Sequence, residues 1–176
     1  DWLLGISGMP ETASAILTTG TSQATILALT AARNRQFGHE VRKTGIQSLP
    51  KVAVYVRRGT HSCIGKALEA MGYGTFSIHV VDTDENMRMD IAALAMAVAE
   101  DQASGRIPLA VIGTAGSVNT GSFDNLDAIA DFCAAQNIWF HVDAAFGFWA
   151  KLADQPWKHL TDGMERANSI SCDFHK

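Results

Sequence analysis

An acid stands at the end of an apolar run: Ile138-Trp139-Phe140-His141-Val142 leads into Asp143, and Ala144-Ala145 follows. A carboxylate at the tip of so apolar a segment is costly unless a cation meets it. Two readings follow. Asp143 pairs with a cation, or it caps the turn through Ala144-Ala145. A second cluster, Thr18-Thr19-Gly20-Thr21-Ser22-Gln23, opens a helical pattern. Free N–H groups at a helix start, joined by the Thr21 and Ser22 hydroxyls, make a phosphate cradle, although Thr and Ser also serve as ordinary N-caps. His61 opens another helical stretch, where a helix-start role competes with a catalytic one. Cys63 beside it suggests a Cys–His nucleophile pair, but no orienting Asn or Asp is near in sequence. Finally, Asp173-Phe174-His175-Lys176 follows the last apolar run, either as a polar strand exit or as an amine aimed at the same ligand.

Other chemistries are excluded. The stretch from Gly59 to Lys66 fails as a P-loop: five residues separate Gly59 from Gly65 where four are needed, and Ala67 replaces the magnesium-binding hydroxyl. No GxGxxG follows a strand pattern. The six histidines show no zinc spacing. Cys63, Cys133 and Cys172 are far apart and odd in number, so neither a disulfide framework nor a Cys-rich metal site is signalled, and a reducing compartment is expected.

The elements that must position these residues alternate. Strands are predicted at 14–18, 52–56, 76–80, 109–113, 138–142 and 169–172, with helices at 22–36, 61–71, 91–103 and 126–136. Runs such as Ala110-Val111-Ile112 are apolar on both faces, as buried parallel strands are. Gly38, Gly72 and Gly105 fall near helix ends. The repeat reads as an α/β domain with a largely parallel sheet, whose ligands sit beyond the strands' carboxyl ends. The 176 residues suffice for one domain with a core. With 47% apolar and 18% charged residues, disorder is excluded and surface buried against a partner is expected. A net charge of -4 without a basic block argues against nucleic acid, and no apolar run long enough to span a membrane occurs.

In this order, the segments resemble the group II pyridoxal-phosphate-dependent amino-acid decarboxylases, the family of the aromatic amino acid, histidine, glutamate and cysteine sulfinate enzymes. The resemblance runs from GISGMPETASAILTTGTSQATILAL through HSCIGKALEAMG, GTAGSVNTGSFDNL and HVDAAFGFWA to ERANSISCDFHK. It implies a fold type I, aminotransferase-like large domain binding pyridoxal 5'-phosphate. By that match Lys176 forms the internal aldimine, Asp143 holds the pyridine nitrogen protonated, and His61 stacks on the ring and acts in catalysis. Thr21 and Ser22 hold the phosphate, Ala145 leaves room for the ring face, and His175 lies near the phosphate or the lysine. Ser117-Val118 stand where relatives carry a Thr pair, and Phe174 where many carry Pro.

The implied reaction is decarboxylation of an L-amino acid to the amine and CO2, with a lean toward an aromatic substrate. The alternatives are another carbon–carbon lyase or an aldehyde synthase on the same scaffold, or a truncated, non-catalytic chain that pairs with a partner subunit. The resemblance further implies a homodimer, of which residues 1–176 are part of the large domain; a cytoplasmic location is expected from the cysteine usage and from the want of a charged and apolar leader pattern in this stretch. The N-terminal segment and the small C-terminal domain lie outside it, so this stretch alone is expected to be inactive.

Overall fold

The computed structural model describes residues 2–175. Helix α1 (Trp2–Ser7) leads through an extended segment into α2 (Thr21–Phe37) and the single turn α3 (Val41–Thr44). Then β1 (Val52–Arg57), α4 (Cys63–Ala70), β2 (Ile78–Val81), α5 (Ile91–Ala103), β3 (Ile107–Thr114), α6 (Leu126–Gln136), β4 (Trp139–Ala144) and β5 (Ser169–Cys172) follow. All neighbouring strands run parallel, in the order β2-β1-β3-β4-β5.

Side-chain alternation explains the layers. Val52, Val54 and Val56 of β1 pack with Leu29, Ile64 and Leu68 of α2 and α4, while Ala53 and Tyr55 join Leu94, Val98, Ile129 and Phe140 on the other face. Both faces are therefore covered, as a parallel sheet requires. The β1–β3 register slips at Ala53/Val54, so Leu109 is skipped and Ala110 meets Val54. Pro108 lies at that slip and has no N–H to give the ladder.

The helix bounds follow local chemistry. Asp90 caps α5 by accepting the N–H groups of Ala92 and Ala93, and Asn125 caps α6 through Ala128. Asn137 ends α6 in the left-handed region.

Three expectations are corrected. Segment 14–18 is no strand: Ile16 and Leu17 are 75% and 81% exposed, and no ladder partner takes up their β preference. The second strand starts at Ile78 because Thr75–Ser77 forms a 3-10 turn, with Phe76 almost fully exposed and its carbonyl accepting from Arg106 at 2.7 Å. Helix α4 begins at Cys63, leaving His61 and Ser62 in the preceding loop.

One buried ion pair fixes the carboxyl edge of the sheet. Arg57, closing β1, lies 3.2 Å from Asp124 through Nε, and both side chains are fully enclosed. The Asp124 carboxylate also accepts the N–H of Thr114 at 2.7 Å and of Met89 at 2.8 Å. Arg57 further donates to the Ser122 hydroxyl at 3.0 Å. The pair thus ties the end of β1 to the end of β3 and the loop before α6. Breaking a buried pair on one side leaves an uncompensated charge and costs about 3–5 kcal/mol. Asp124→Ala in the intact protein is expected to lower stability by about that much in thermal unfolding; a loss under about 1 kcal/mol contradicts this role.

Candidate active site

The strand order reverses direction between β1 and β3, where open α/β sheets form their ligand crevice. A cleft of about 630 Å³ opens there, beyond the carboxyl ends of the strands. Its walls come from the start of α2, the loop after β1, the ends of β3 and β4, and Asp173 after β5. Two of these loops meet backbone to backbone: the Gly147 N–H donates to the Ala115 carbonyl at 3.0 Å. Gly116 has φ +75°, and a Cβ there would stand 2.9 Å from the Gly147 nitrogen, so the approach requires glycine.

At one end α2 begins without a side-chain cap. Gly20 takes φ 154°, ψ 167°, a region essentially reserved for glycine, so the chain turns into the helix with Thr21 and Ser22 on the cleft wall. Gln23 reaches back and accepts from both the Thr19 N–H (3.1 Å) and the Thr19 hydroxyl (2.8 Å). This fixes the entry to the helix while leaving its first amides without a side-chain acceptor. An anion is favoured there by both the dipole and the donors.

Asp143 lies at the other end, 6% exposed. Its Oδ1 accepts the Ala145 N–H at 3.2 Å, which is the turn cap, and its Oδ2 lies 4.0 Å from the Cys63 thiol. Among the described residues no cationic side chain pairs with it. Burial, and next the Asp143 charge, push the Cys63 thiol up, so Cys63 is a neutral donor and no nucleophile. His61 is exposed on the cleft wall, and its Nδ1 accepts the Cys63 N–H at 3.2 Å. The helix-start role and a place at the site therefore coincide. Thr114 also lines the cleft, and its buried hydroxyl oxygen has no hydrogen-bond partner.

The cleft brings together Thr21, Ser22, His61, Asp143 and Ala145. His175 stands apart: it is exposed, and its N–H donates to Asp173 at 2.8 Å. Lys176 lies outside the described residues. Sequence reasoning missed Cys63 as a neighbour of Asp143 and assigned no role to Thr114 or to Asp173, whose Oδ2 accepts from the Thr21 hydroxyl at 3.3 Å. Both of the latter carried a signal, as polar residues at strand exits.

A doubly wound sheet with an uncapped helix start and a buried acid beyond its strand ends defines an α/β domain suited to a ligand that carries both an anionic and a cationic group. Residues 1–176 match the pyridoxal-dependent decarboxylase conserved domain, and the chain belongs to that family. It is 31% identical over 176 residues to an aromatic-L-amino-acid decarboxylase of Bacillus atrophaeus, covering 100% of this chain and 35% of the relative. The structure of mouse CSAD in apo form is similar at TM-score 0.95 and 34% identity, over 99% of this chain and 36% of that one. Oryza sativa TDC with PLP is similar at TM-score 0.83 and 31% identity, over 100% of this chain and 39% of that one. The chain thus spans about a third of the length of the curated relatives it matches.

The family's cofactor is pyridoxal phosphate, and the residues present fit it. The helix start suits the phosphate, the unpaired Asp143 suits a protonated ring nitrogen, and the orphaned Thr114 hydroxyl suits a polar ring substituent.

Beneath the site, His141 is fully buried between the Ser169 hydroxyl (2.8 Å from Nδ1) and the Ser171 hydroxyl (3.4 Å from Nε2). Burial pushes its pKa down to about 4, against an upward pull from Asp143. An unfolded imidazole titrates near 6.5, so between about 4 and 6.5 the unfolded chain binds more protons. Stability therefore falls as pH drops through that window, by about 3 kcal/mol in all. His141→Asn should flatten this part of the thermal-midpoint profile; an unchanged slope would remove His141 as its source.

Proposed function

We propose that the intact protein is a pyridoxal-phosphate-dependent amino-acid decarboxylase that releases the α-carboxylate of an L-amino acid as CO2 and leaves the amine. The observation that carries this reading is Asp143: a buried carboxylate facing the cleft with no cation of its own among the described residues, in a chain of the decarboxylase family. When bound, pyridoxal phosphate supplies an electron sink for the pair left at Cα when CO2 departs.

The chain's own residues have distinct tasks. Asp143, whose Oδ1 accepts the Ala145 N–H, would hold a proton on the ring nitrogen by charge pairing. The first amides of α2, with the Thr21 and Ser22 hydroxyls, bind the phosphate. Ala145 is small where the ring face comes against the backbone. His61 Nδ1 is engaged by the Cys63 N–H, so its imidazole would stack over the ring with Nε2 the nitrogen left to orient the substrate carboxylate or move a proton. Lys176 would supply the amine that holds the cofactor through its aldehyde. His175, whose N–H donates to Asp173, would lie near the phosphate or the lysine.

An aromatic substrate is favoured, because Ile26, Val118 and Phe146 line the cleft and no Lys or Arg does so among the described residues. A homodimer is proposed as well, since Ile16, Leu17, Val118 and Phe146 are exposed apolar residues, the last two on the cleft wall. No described helix is long and apolar enough to cross a membrane. A cytoplasmic location belongs to the proposal and accords with three cysteines that are free.

Borohydride reduction of the intact protein with pyridoxal phosphate, then peptide mass spectrometry, is expected to place a pyridoxyl group on Lys176. An unmodified Lys176 in folded protein contradicts the reading. Asp143→Asn should keep the attached cofactor and lose turnover by about a hundredfold or more, whereas near-normal product formation would remove Asp143 from the chemistry.

A further inference from the structure

We propose that Trp149 is the positioning residue for the turn that carries Lys176. This rests on the reading of Lys176 as the cofactor lysine. Ladder bonding of β5 ends at Cys172, so residues 173–175 must be held by something other than the sheet. The Trp149 indole N–H donates to the Asp173 carbonyl at 2.9 Å. The same ring meets Phe174 edge-on, with centroids 5.4 Å apart. The turn is thus gripped twice by one side chain, once through its backbone and once through a ring.

Trp149 is itself fixed from two other directions. Phe148, fully buried, packs against it at 5.2 Å with the rings nearly perpendicular, and Trp2 of α1 lies 6.4 Å away. Phe148 and Trp149 open a 3-10 turn (Phe148–Leu152) only a few residues after Asp143. The indole therefore ties the lysine-bearing turn to the segment that bears the acid. The other grip on this turn comes from the phosphate end: Thr21 donates to the Asp173 carboxylate at 3.3 Å, and that carboxylate accepts the His175 N–H at 2.8 Å.

Attack of an amine on an aldehyde depends steeply on the approach of the two atoms, so a turn free to rotate would slow attachment without altering the anion cradle. Trp149 acts through the turn and is not among the residues that line the cleft.

The test uses Trp149→Phe in the intact protein, which keeps an aromatic ring and deletes the N–H. Two quantities are read: amide hydrogen exchange of the peptide spanning 170–175, and the rate at which apoprotein takes up pyridoxal phosphate, trapped by borohydride on Lys176. Losing this one hydrogen bond should speed exchange and slow uptake, each by about fivefold, with the affinity for inorganic phosphate unchanged. Trp157→Phe, at an exposed tryptophan, should change neither. Phe174→Leu loosens the same turn at a half-exposed ring that the core does not need, and should speed exchange by about twofold even if Trp149→Phe folds poorly.

Unchanged exchange and uptake in Trp149→Phe, or unchanged exchange in Phe174→Leu, would overturn the inference while leaving the decarboxylase reading intact. Failure of the unmutated protein to attach the cofactor at Lys176 would overturn both.

Discussion

Burying a carboxylate costs several kcal/mol unless hydrogen bonds and an opposite charge replace the lost water, and Asp143 receives only part of that compensation from the described residues. One amide reaches Oδ1, and a weak thiol donor lies near Oδ2. Below it, His141 is held neutral by burial and supplies no charge. The acid is therefore poised for a cation brought by a ligand. The surrounding architecture can be understood as what keeps that acid enclosed, aimed and separated from the anion-binding end of the same cleft.

The parallel sheet makes this separation simple. Every strand delivers its carboxyl end to one edge, so residues far apart in sequence meet there without long loops. His61, Thr114, Asp143 and Asp173 line one cleft for that reason, and the start of α2 brings Thr21 to the same cleft. Two devices make the edge rigid. The enclosed Arg57–Asp124 pair clamps the ends of β1 and β3, and the Gly116–Gly147 approach joins the loops after β3 and β4. Asp124 binds the amide of the cleft residue Thr114, and Gly116 lines the cleft itself, which fits a site that needs its polar groups preorganised.

Much of this was legible in the residues. Runs apolar on both faces gave β3 and β4, and Gly38, Gly72 and Gly105 marked where helices end, whereas the caps Asp90 and Asn125 emerged only with the fold. The acid at the end of β4 was visible as an anomaly of burial. What the chain did not reveal depends on distance in space. Segment 14–18 has the composition of a strand, but strand formation needs a neighbour, and the sheet offers none there. Cys63 sits two residues after His61 and invited a nucleophile pair, yet its thiol faces Asp143, which no local pattern encodes. Arg57 and Asp124 are likewise far apart in sequence, so their pairing could not be read from either segment alone. The indole bond from Trp149 to the Asp173 carbonyl joins residues from two different strand exits, which no local pattern encodes.

The nitrogen-15 chemical shift of the ring nitrogen, in intact protein loaded with isotopically labelled pyridoxal phosphate, tests the role of Asp143 most directly. A protonated nitrogen that persists into mildly alkaline solution is expected if the buried carboxylate holds the charge. An unprotonated nitrogen at neutral pH would contradict the account, because Asp143 would then lie buried without the cation that its position demands.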